Sequence, residues 1–124
     1  MSKNNANNPF LLPIDIGDVA SDQTFNIGYL DSAHVLKKAK ILDAVGVAAS
    51  NTHKVKVQIK AGSDVVCEFY TQAADEGALT AGVWANFPET EVSIAAGSKL
   101  TVVIDVSGTG ELNDSMIQLE LYKL

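Results

Sequence analysis

The sequence contains no arginine, and its nine lysines stand against fifteen aspartates and glutamates, which gives a formal charge of −6. Arginine supplies the bidentate fork that recognition of phosphates and base edges favours. Net acidity also opposes binding to nucleic acid and to anionic membrane surfaces. We therefore predict that the partners of this protein include neither nucleic acid nor a membrane.

Cysteine is almost absent, since Cys67 is the single one in the chain. One cysteine excludes an intramolecular disulfide and a metal site built from several cysteines. Cys67 stands in phase with Val65 and Phe69, which predicts a small buried apolar residue and not a nucleophile. Residues 1–13 lack an apolar run of signal-peptide length, and no segment is long enough to span a bilayer. We expect the chain to be made and to fold in a reducing cytoplasm.

Residues with catalytic chemistry are also scarce. His34 and His53 are the two histidines, and neither has the spacing of a zinc motif. His53 falls on a predicted turn, where a solvated histidine is expected over a general base. The sequence has no nucleophile elbow, P-loop or dinucleotide fingerprint, and a cupin-like enzyme would need several inward histidines. We predict no enzymatic activity, no catalytic residue, no cofactor and no bound metal.

Acidic residues cluster in two predicted turn regions, where they could converge on a hard cation. Asp15 and Asp18 form the first group, and Asp105, Glu111 and Asp114 form the second. Neither group has the spacing of a calcium loop, and aspartate is favoured in turns for its own hydrogen bonding. The turn-forming role is therefore the preferred interpretation.

Asp43 is a different case, because it lies in phase with Ile41 and Val45 and is predicted to point inward. A buried carboxylate needs a hydrogen-bonding partner, which Lys40 or a backbone donor could supply. Alternatively, an inward charge marks a sheet edge and discourages aggregation. Both interpretations make Asp43 structural.

Hydrophobic residues make up 47% of the 124 residues, which predicts one globular domain with a sizeable core. Apolar and polar residues alternate over 99–106 and 115–124, the signature of strands with one buried and one wet face. With the turn residues of 107–114 between them, these strands are predicted to pair as a C-terminal hairpin.

A second hairpin is predicted from strands 54–60 and 65–71, joined by a four-residue loop. Shorter strands are predicted over 24–30, 83–86 and 91–94, whereas 31–38 fits either a short helix or a loop leading into a strand. The total is seven or eight antiparallel strands. Long crossing connections such as 72–90 favour a jelly roll or Greek key, so the predicted fold is a single all-β sandwich.

Residues 1–14 are predicted to form a flexible N-terminal arm, with the sandwich domain at 15–124. Residues 1–9 are polar and rich in asparagine. Pro9 and Pro13 flank a short apolar segment that includes Phe10, and proline keeps such a segment extended but outside a central strand. Such an arm is expected to dock on its own domain or on a neighbour.

Two further features have more than one interpretation. Trp84 is the single tryptophan and lies in the irregular region 72–88. Its side chain could fill the core, contact another subunit or stack on a sugar ring at the surface, and the core or a subunit interface is the preferred position. Lys54, Lys56 and Lys60 form a row on one strand face, which is better explained as a solvated face than as a site for an anionic partner.

The C-terminal segment 94–124 carries turn and core positions in a characteristic order. They are Ala96-Gly97, Leu100-Thr101, Ile104-Asp105, Gly108-Thr109-Gly110 and Leu119-Glu120-Leu121-Tyr122. In this order they resemble the closing strands of small jelly-roll domains in tailed-bacteriophage virion proteins. Ser98 departs from the pattern, where the family more often has an acid, and this has no functional consequence. Residues 40–60 are also similar to the family, whereas residues 1–30 are not covered.

The resemblance implies a viral structural protein without catalytic residues, either a head decoration (cement) protein or a fibre or baseplate module. A single acidic, cysteine-poor domain with a loose arm favours the first role. We therefore predict a non-enzymatic protein on the outer surface of the virion capsid. It would bind a major capsid protein as a homo-oligomer, a dimer or a trimer, and stabilise the shell.

The residues predicted to contact the partner are Phe10, Leu11, Leu12, Trp84 and Phe87. The alternative is a carbohydrate-binding or receptor-binding module of a fibre or baseplate. It would expose Trp84 and a tyrosine on one concave face and bind a glycan there.

Overall fold

The computed structural model describes residues 10–88 and 90–124, and within this part of the chain every regular element is a strand. No helix among these residues is long and apolar enough to cross a bilayer. The strands are β1 Phe10–Val19, β2 Gln23–Tyr29, β3 His34–Leu42, β4 Lys54–Ala61, β5 Asp64–Tyr70, β6 Ala85–Asn86, β7 Val92–Ile94, β8 Lys99–Ser107 and β9 Leu112–Lys123.

The strands form two antiparallel sheets whose order identifies the topology. Sheet 1 has the order β1-β9-β3, with β6 and β7 both pairing with the far side of β3. Sheet 2 has the order β2-β8-β4-β5. The pairing is nested: β1 with β9, β2 with β8, β3 with β6 and β7, and β4 with β5. This is one long hairpin folded over into two sheets, a jelly roll, and it confirms the predicted fold class.

The core lies between the two sheets and is built by the alternation seen in the sequence. Leu100, Val102 and Ile104 of β8 are buried, and so are the alternate residues Ile117, Leu119 and Leu121 of β9. Val55, Val57 and Ile59 of β4 complete the same pattern. The predicted buried faces of these three strands are therefore confirmed. Val65, predicted to lie in phase with Cys67 and Phe69, is instead 48% exposed, because the pairing of β5 with β4 shifts register between Cys67 and Val65.

The predicted C-terminal hairpin is wrong, although both of its strands exist. β8 pairs with β2 and β4 in sheet 2, whereas β9 pairs with β1 and β3 in sheet 1. The link between them is the short turn 108–111, which crosses from one sheet to the other. Each strand has one buried and one wet face, and this pattern suits a pair in the same sheet and a pair in facing sheets equally well.

The hairpin of β4 and β5 is confirmed, with Val57 opposite Phe69 and Ala61 opposite Asp64. Its loop is shorter than predicted, since the strands extend until two residues, Gly62 and Ser63, are left between them. Gly62 has a φ of +62°, a conformation that costs glycine little.

The predicted boundary between the arm and the domain needs correction, because β1 begins at Phe10. Residues 10–14 pair with β9, with Phe10 opposite Leu121 and Ile14 opposite Ile117. Pro13 is accommodated because β1 is an edge strand, where a missing N–H leaves no ladder bond unmade. Residues 1–9 of the predicted arm lie outside the described residues.

The helix considered for 31–38 is also wrong, because β3 begins at His34. Neighbours on both sides supply hydrogen bonds to β3, and this tertiary pairing overrides the weak local cap signal.

β3 ends at Leu42, and the alternation of buried and exposed residues does not continue past it. Val45, expected inward, is exposed, and Val47 is held instead by an isolated bridge to Leu79.

Candidate docking surface

The outer face of sheet 1 carries a row of apolar side chains across three adjacent strand positions. Met116 of β9 lies opposite Leu42 of β3. On the other side of β3, Ala85 of β6 lies opposite Ile41, and because these strands are antiparallel Trp84 comes next to Leu42. Met116 and Trp84 are 39% and 38% exposed, and Leu42 is half-buried. We call Leu42, Trp84 and Met116 the outer row.

Lys40 orients the tryptophan at the end of this row. The Lys40 ammonium lies 5.0 Å from the centroid of the Trp84 ring, a cation–π contact. This contact places both side chains on the outer face, because the neighbours of Lys40 in β3, Ala39 and Ile41, are buried. An oriented, half-exposed tryptophan is the kind of residue that anchors protein interfaces.

Leu11 is a second exposed apolar side chain on the same outer face. It is 50% exposed and lies opposite Glu120, whose other neighbour is Lys38. A shallow cleft of about 160 Å³ separates Leu11 from Lys40. The apolar side chains of this face are therefore flanked by charges of both signs, as at the polar rim of a protein interface.

The five predicted contact residues do not form one surface. Phe10 is 53% exposed and Leu12 is partly buried, and both occupy inward positions of β1. Phe87 is a correction: it is 4% exposed, and its ring packs edge-on against Phe69 with 5.8 Å between centroids. A ring buried in the core is not available to a partner. Leu11 and Trp84 thus share the outer face, and Phe87 does not.

Met116 and Leu42 were missed by the sequence reasoning, although one signal for Met116 was present. Its neighbours in phase on the outer side of β9, Gln118 and Glu120, are polar. A large apolar residue on a face that is otherwise wet marks a contact surface. Leu42 carried the same signal, because it is in phase with Lys38 and Lys40 on the outer side of β3.

The buried carboxylate of Asp43 holds this end of sheet 1 together. Asp43 is fully buried and accepts hydrogen bonds from Gly46 N at 2.7 Å, from Asn113 N at 2.6 Å and from the Ser115 hydroxyl. The inward position and the backbone donors are confirmed, whereas Lys40 is not a partner. Asp43 thereby joins the end of β3 to the start of β9, next to Leu42 and Met116.

The segment that precedes Trp84 is fixed to the same place. Gly82 N donates to Asp43 O at 2.9 Å, and Val47 and Leu79 exchange backbone hydrogen bonds at 2.8 and 2.9 Å. A side chain on Gly46, which has a φ of +92°, would lie 3.0 Å from Leu79 O. Only glycine allows this close approach, so the position of the outer row depends on Gly46.

A larger cleft, about 670 Å³, runs from Asn86, which lies opposite Lys40, to Tyr122. Its lining includes Lys37, Lys38, Asn86, Glu120 and Tyr122. Lys37 Nζ donates to Glu91 Oε1 at 2.7 Å at the rim. This contact lowers the pKa of the exposed Glu91 carboxyl and raises the pKa of the Lys37 ammonium. We call this the Tyr122 cleft.

No protein-family model matches the sequence, and no curated protein is significantly similar to it. Solved structures of infectious bursal disease virus are weakly similar in shape. For the Gx strain the TM-score is 0.35 with 14% identity over 95% of this chain and 37% of that chain. For the Gt strain the TM-score is 0.32 with 16% identity over 95% and 30%. The chain thus spans about a third of those viral chains, and at these TM-scores the likeness supports no functional argument.

The acidic residues considered for a cation site lie mostly in strands and not in the predicted turns. Asp15 and Asp18 belong to β1, Asp105 to β8 and Asp114 to β9, whereas Glu111 is in the 108–111 turn. Asp18 accepts a hydrogen bond from Asp114 N at 2.8 Å. Among residues 10–88 and 90–124, no group of three or more histidine, cysteine or acidic side chains is placed to hold a metal ion. The turn-forming interpretation is therefore wrong for the four residues in strands, although Asp18 does have a structural contact.

The lysine row on β4 is part of a polar outer face on sheet 2. Lys54 and Lys56 each lie 5.3 Å from the centroid of the Tyr70 ring, and Lys54 also donates to Gln72 Oε1. Lys56 is paired across the strands with Asp105. Because these charges are engaged by neighbouring side chains, the solvated face remains the better interpretation.

Proposed function

We propose that this protein is a non-enzymatic structural virion protein that binds the outside of a phage capsid as a homo-oligomer and stabilises the shell. The outer row of sheet 1 is the observation that carries the proposal. It presents a tryptophan, a methionine and a leucine side by side, on a face whose residues are held by backbone hydrogen bonds. The resemblance of residues 94–124 to phage virion jelly rolls supplies the class of partner.

The outer row has the physical properties of an interface centre. Tryptophan and methionine are enriched in protein interfaces, and charged residues lie preferentially at the rim, where Lys38, Lys40 and Glu120 stand here. The Asp43 hydrogen bonds order the row before binding, so little conformational entropy is lost on association. A contact of standard size, on the order of 1,600 Å² in total, would then suffice for stable attachment.

Stabilisation of the shell follows from mass action. A protein that binds the assembled shell but not its separated subunits lowers the free energy of the assembled state. Attachment of an oligomer to several capsid subunits at once raises the effective affinity without new contacts. Each copy therefore needs only a moderate affinity of its own.

The test is co-sedimentation with expanded heads of the phage that carries the protein, using Trp84→Ala and a matched control, Val65→Ala. Val65 is similarly exposed but lies on β5 of sheet 2. We expect Trp84→Ala to bind about thirtyfold more weakly, since loss of a central tryptophan costs about 2 kcal/mol. Val65→Ala should bind like wild type. Equal binding by all three proteins would remove the outer row from the mechanism.

A second candidate, glycan binding, is favoured by the Tyr122 cleft. A tyrosine among polar and charged side chains in a concave site is suited to a sugar ring. Trp84 does not line this cleft, and the Lys40 ammonium lies over its ring. Protein that ignores phage heads but binds host-surface polysaccharide, with loss of binding in Tyr122→Ala, would replace the first proposal by the second.

A further inference from the structure

His53 fastens the turn between β8 and β9 to the connection between β3 and β4. Thr109 N donates a hydrogen bond to His53 Nδ1 at 2.9 Å, and the Thr109 hydroxyl lies 3.1 Å from the same nitrogen. Ser50 Oγ in turn accepts from His53 N at 2.9 Å and fixes the backbone that carries the ring. These contacts join two loops that are 56 residues apart in sequence.

The turn lies directly against the imidazole. A Cβ at Gly108 would overlap His53 Nδ1 and would lie 2.7 Å from Thr52 O. A Cβ at Gly110 would lie 2.6 Å from Lys54 O. Glycine at both positions allows the backbone to reach the ring, so the contact of Thr109 with His53 is built into the fold.

The direction of this hydrogen bond determines the charge of the ring. A backbone N–H can only donate, so His53 Nδ1 must offer a lone pair, and the ring must be neutral. A protonated imidazole carries a hydrogen on both nitrogens and accepts nothing. We propose that the hydrogen bond from Thr109 N to His53 Nδ1 is an acid-sensitive latch. It is closed while the ring is neutral, and it opens when protonation turns Nδ1 into a donor, which the Thr109 hydroxyl, 3.1 Å away, can then accept.

His34 provides an internal contrast, because its hydrogen bond has the opposite direction. His34 Nδ1 lies 2.8 Å from Ser32 O, and a carbonyl oxygen can only accept. His34 Nδ1 therefore carries a hydrogen, and protonation of the other ring nitrogen leaves the bond intact. One histidine of this protein is arranged to lose its contact in acid, and the other to keep it.

The charged groups around His53 come from both sides of the latch. Glu111, on the β8–β9 turn, lines the same cleft. Lys54 is next in the chain, and its ammonium is directed to Gln72 and Tyr70. The Asp43 carboxylate lies buried behind the cleft, bound to Gly46, Asn113 and Ser115. Charged groups of both signs thus lie around the ring, and histidine in general changes charge between about pH 5 and 8.

Opening the latch would widen a cleft that already exists between the two loops. The cleft is about 400 Å³, with residues 45–50 on one side and residues 109–113 on the other. Loss of the Thr109 N–H bond removes one of the contacts that hold the 108–111 turn against the β3–β4 connection, whereas the Asp43 hydrogen bonds keep Asn113 in place. The change is therefore confined to the turn.

The test is amide hydrogen exchange by NMR on the full chain at pH 7.5 and 5.5, corrected for the intrinsic exchange rate. We expect the protection of the Thr109 amide to fall at least tenfold at pH 5.5. The control is the Val47 amide, which donates to Leu79 O at 2.9 Å and has no titratable partner, so its protection should not change. The His53 ring signals report its charge in the same samples.

Two variants complete the test. His53→Gln is neutral at both pH values, so its Thr109 protection should not depend on pH. His53→Ala should show low Thr109 protection at both. Undiminished protection of Thr109 in wild type while the His53 ring becomes protonated would overturn the proposal. An equal acid-induced loss in His53→Gln would also overturn it, because the loss would not come from His53.

Discussion

Cys67 shows at the scale of one residue what burial does to an ionisable group. It lies in β5 opposite Ile59, is almost fully buried, and has a pKa raised to about 12 by loss of hydration. The thiol is therefore neutral and unreactive in the folded protein at physiological pH. The interpretation of Cys67 as a small core residue is confirmed.

This raised pKa predicts a loss of stability in alkali. Between the ordinary thiol pKa near 9 and about 12, the folded state binds the proton more tightly than the unfolded chain does. The contribution to stability is therefore complete below about pH 9 and is lost as the pH rises, by at most about 1.4 kcal/mol per pH unit. Urea unfolding of wild type and Cys67→Ala at pH 8 to 11 measures it. Wild type should lose more free energy of unfolding over this range, and parallel curves would contradict the prediction.

Asp43 acts at the scale of the elements, because its carboxylate joins β3, the loop after it and β9. Both carboxylate oxygens accept: Oδ2 from Gly46 N, and Oδ1 from Asn113 N and Ser115 Oγ. Asp43→Asn replaces one acceptor by an NH₂ donor, which then faces a backbone N–H. We expect a loss of about 2–4 kcal/mol in the free energy of unfolding, measured with urea.

The matched control for Asp43→Asn is Asp18→Asn. Asp18 also accepts a backbone hydrogen bond, from Asp114 N at 2.8 Å, but it is exposed to water. Water can replace this bond, so the variant should lose less than about 1 kcal/mol. Equal losses in the two variants would mean that the Asp43 hydrogen bonds do not carry the stability of this junction.

The elements also show where sequence reasoning reached its limit. The strands β4, β5, β8 and β9 were all predicted from the alternation of apolar and polar residues. Pairing β8 with β9 was the natural choice because sequential antiparallel strands often pair. In a jelly roll, however, β2 and β4 flank β8 while β1 and β3 flank β9. No local signal in the 108–111 turn distinguishes a hairpin from a crossing between sheets.

At the scale of the whole molecule, the proposed function predicts self-association. Light scattering of the purified protein should give two or three times the monomer mass of 13.1 kDa. Among the described residues, the outer edges of β1, β2 and β5 offer surfaces for a symmetric contact, which leaves the outer row to the capsid. A monomer at micromolar concentration that also fails to sediment with phage heads would contradict the proposal.

The outer face of sheet 1 was predictable only in part, because the sequence does not show which apolar side chains point outward. Trp84 and Leu11 drew attention as apolar residues in polar or irregular surroundings, and both are on the outer face. Phe87 had the same local context but fills the core against Phe69. Whether an aromatic ring in an irregular segment points inward or outward depends on the strand beside it, and sequence alone does not show this.

The sequence by itself determined the all-β class, the positions of most strands and the buried faces of β4, β8 and β9, because alternation is a local property of the chain. It also predicted correctly that Asp43 points inward and Cys67 is buried, although Val45 and Val65, placed in phase with them, are exposed. Only the tertiary structure decided which strands share a sheet, and therefore which exposed side chains are neighbours. The outer row joins Leu42, Trp84 and Met116, and the latch joins His53 to Thr109. Contacts between residues so distant in the chain depend on the topology, and local patterns do not specify it.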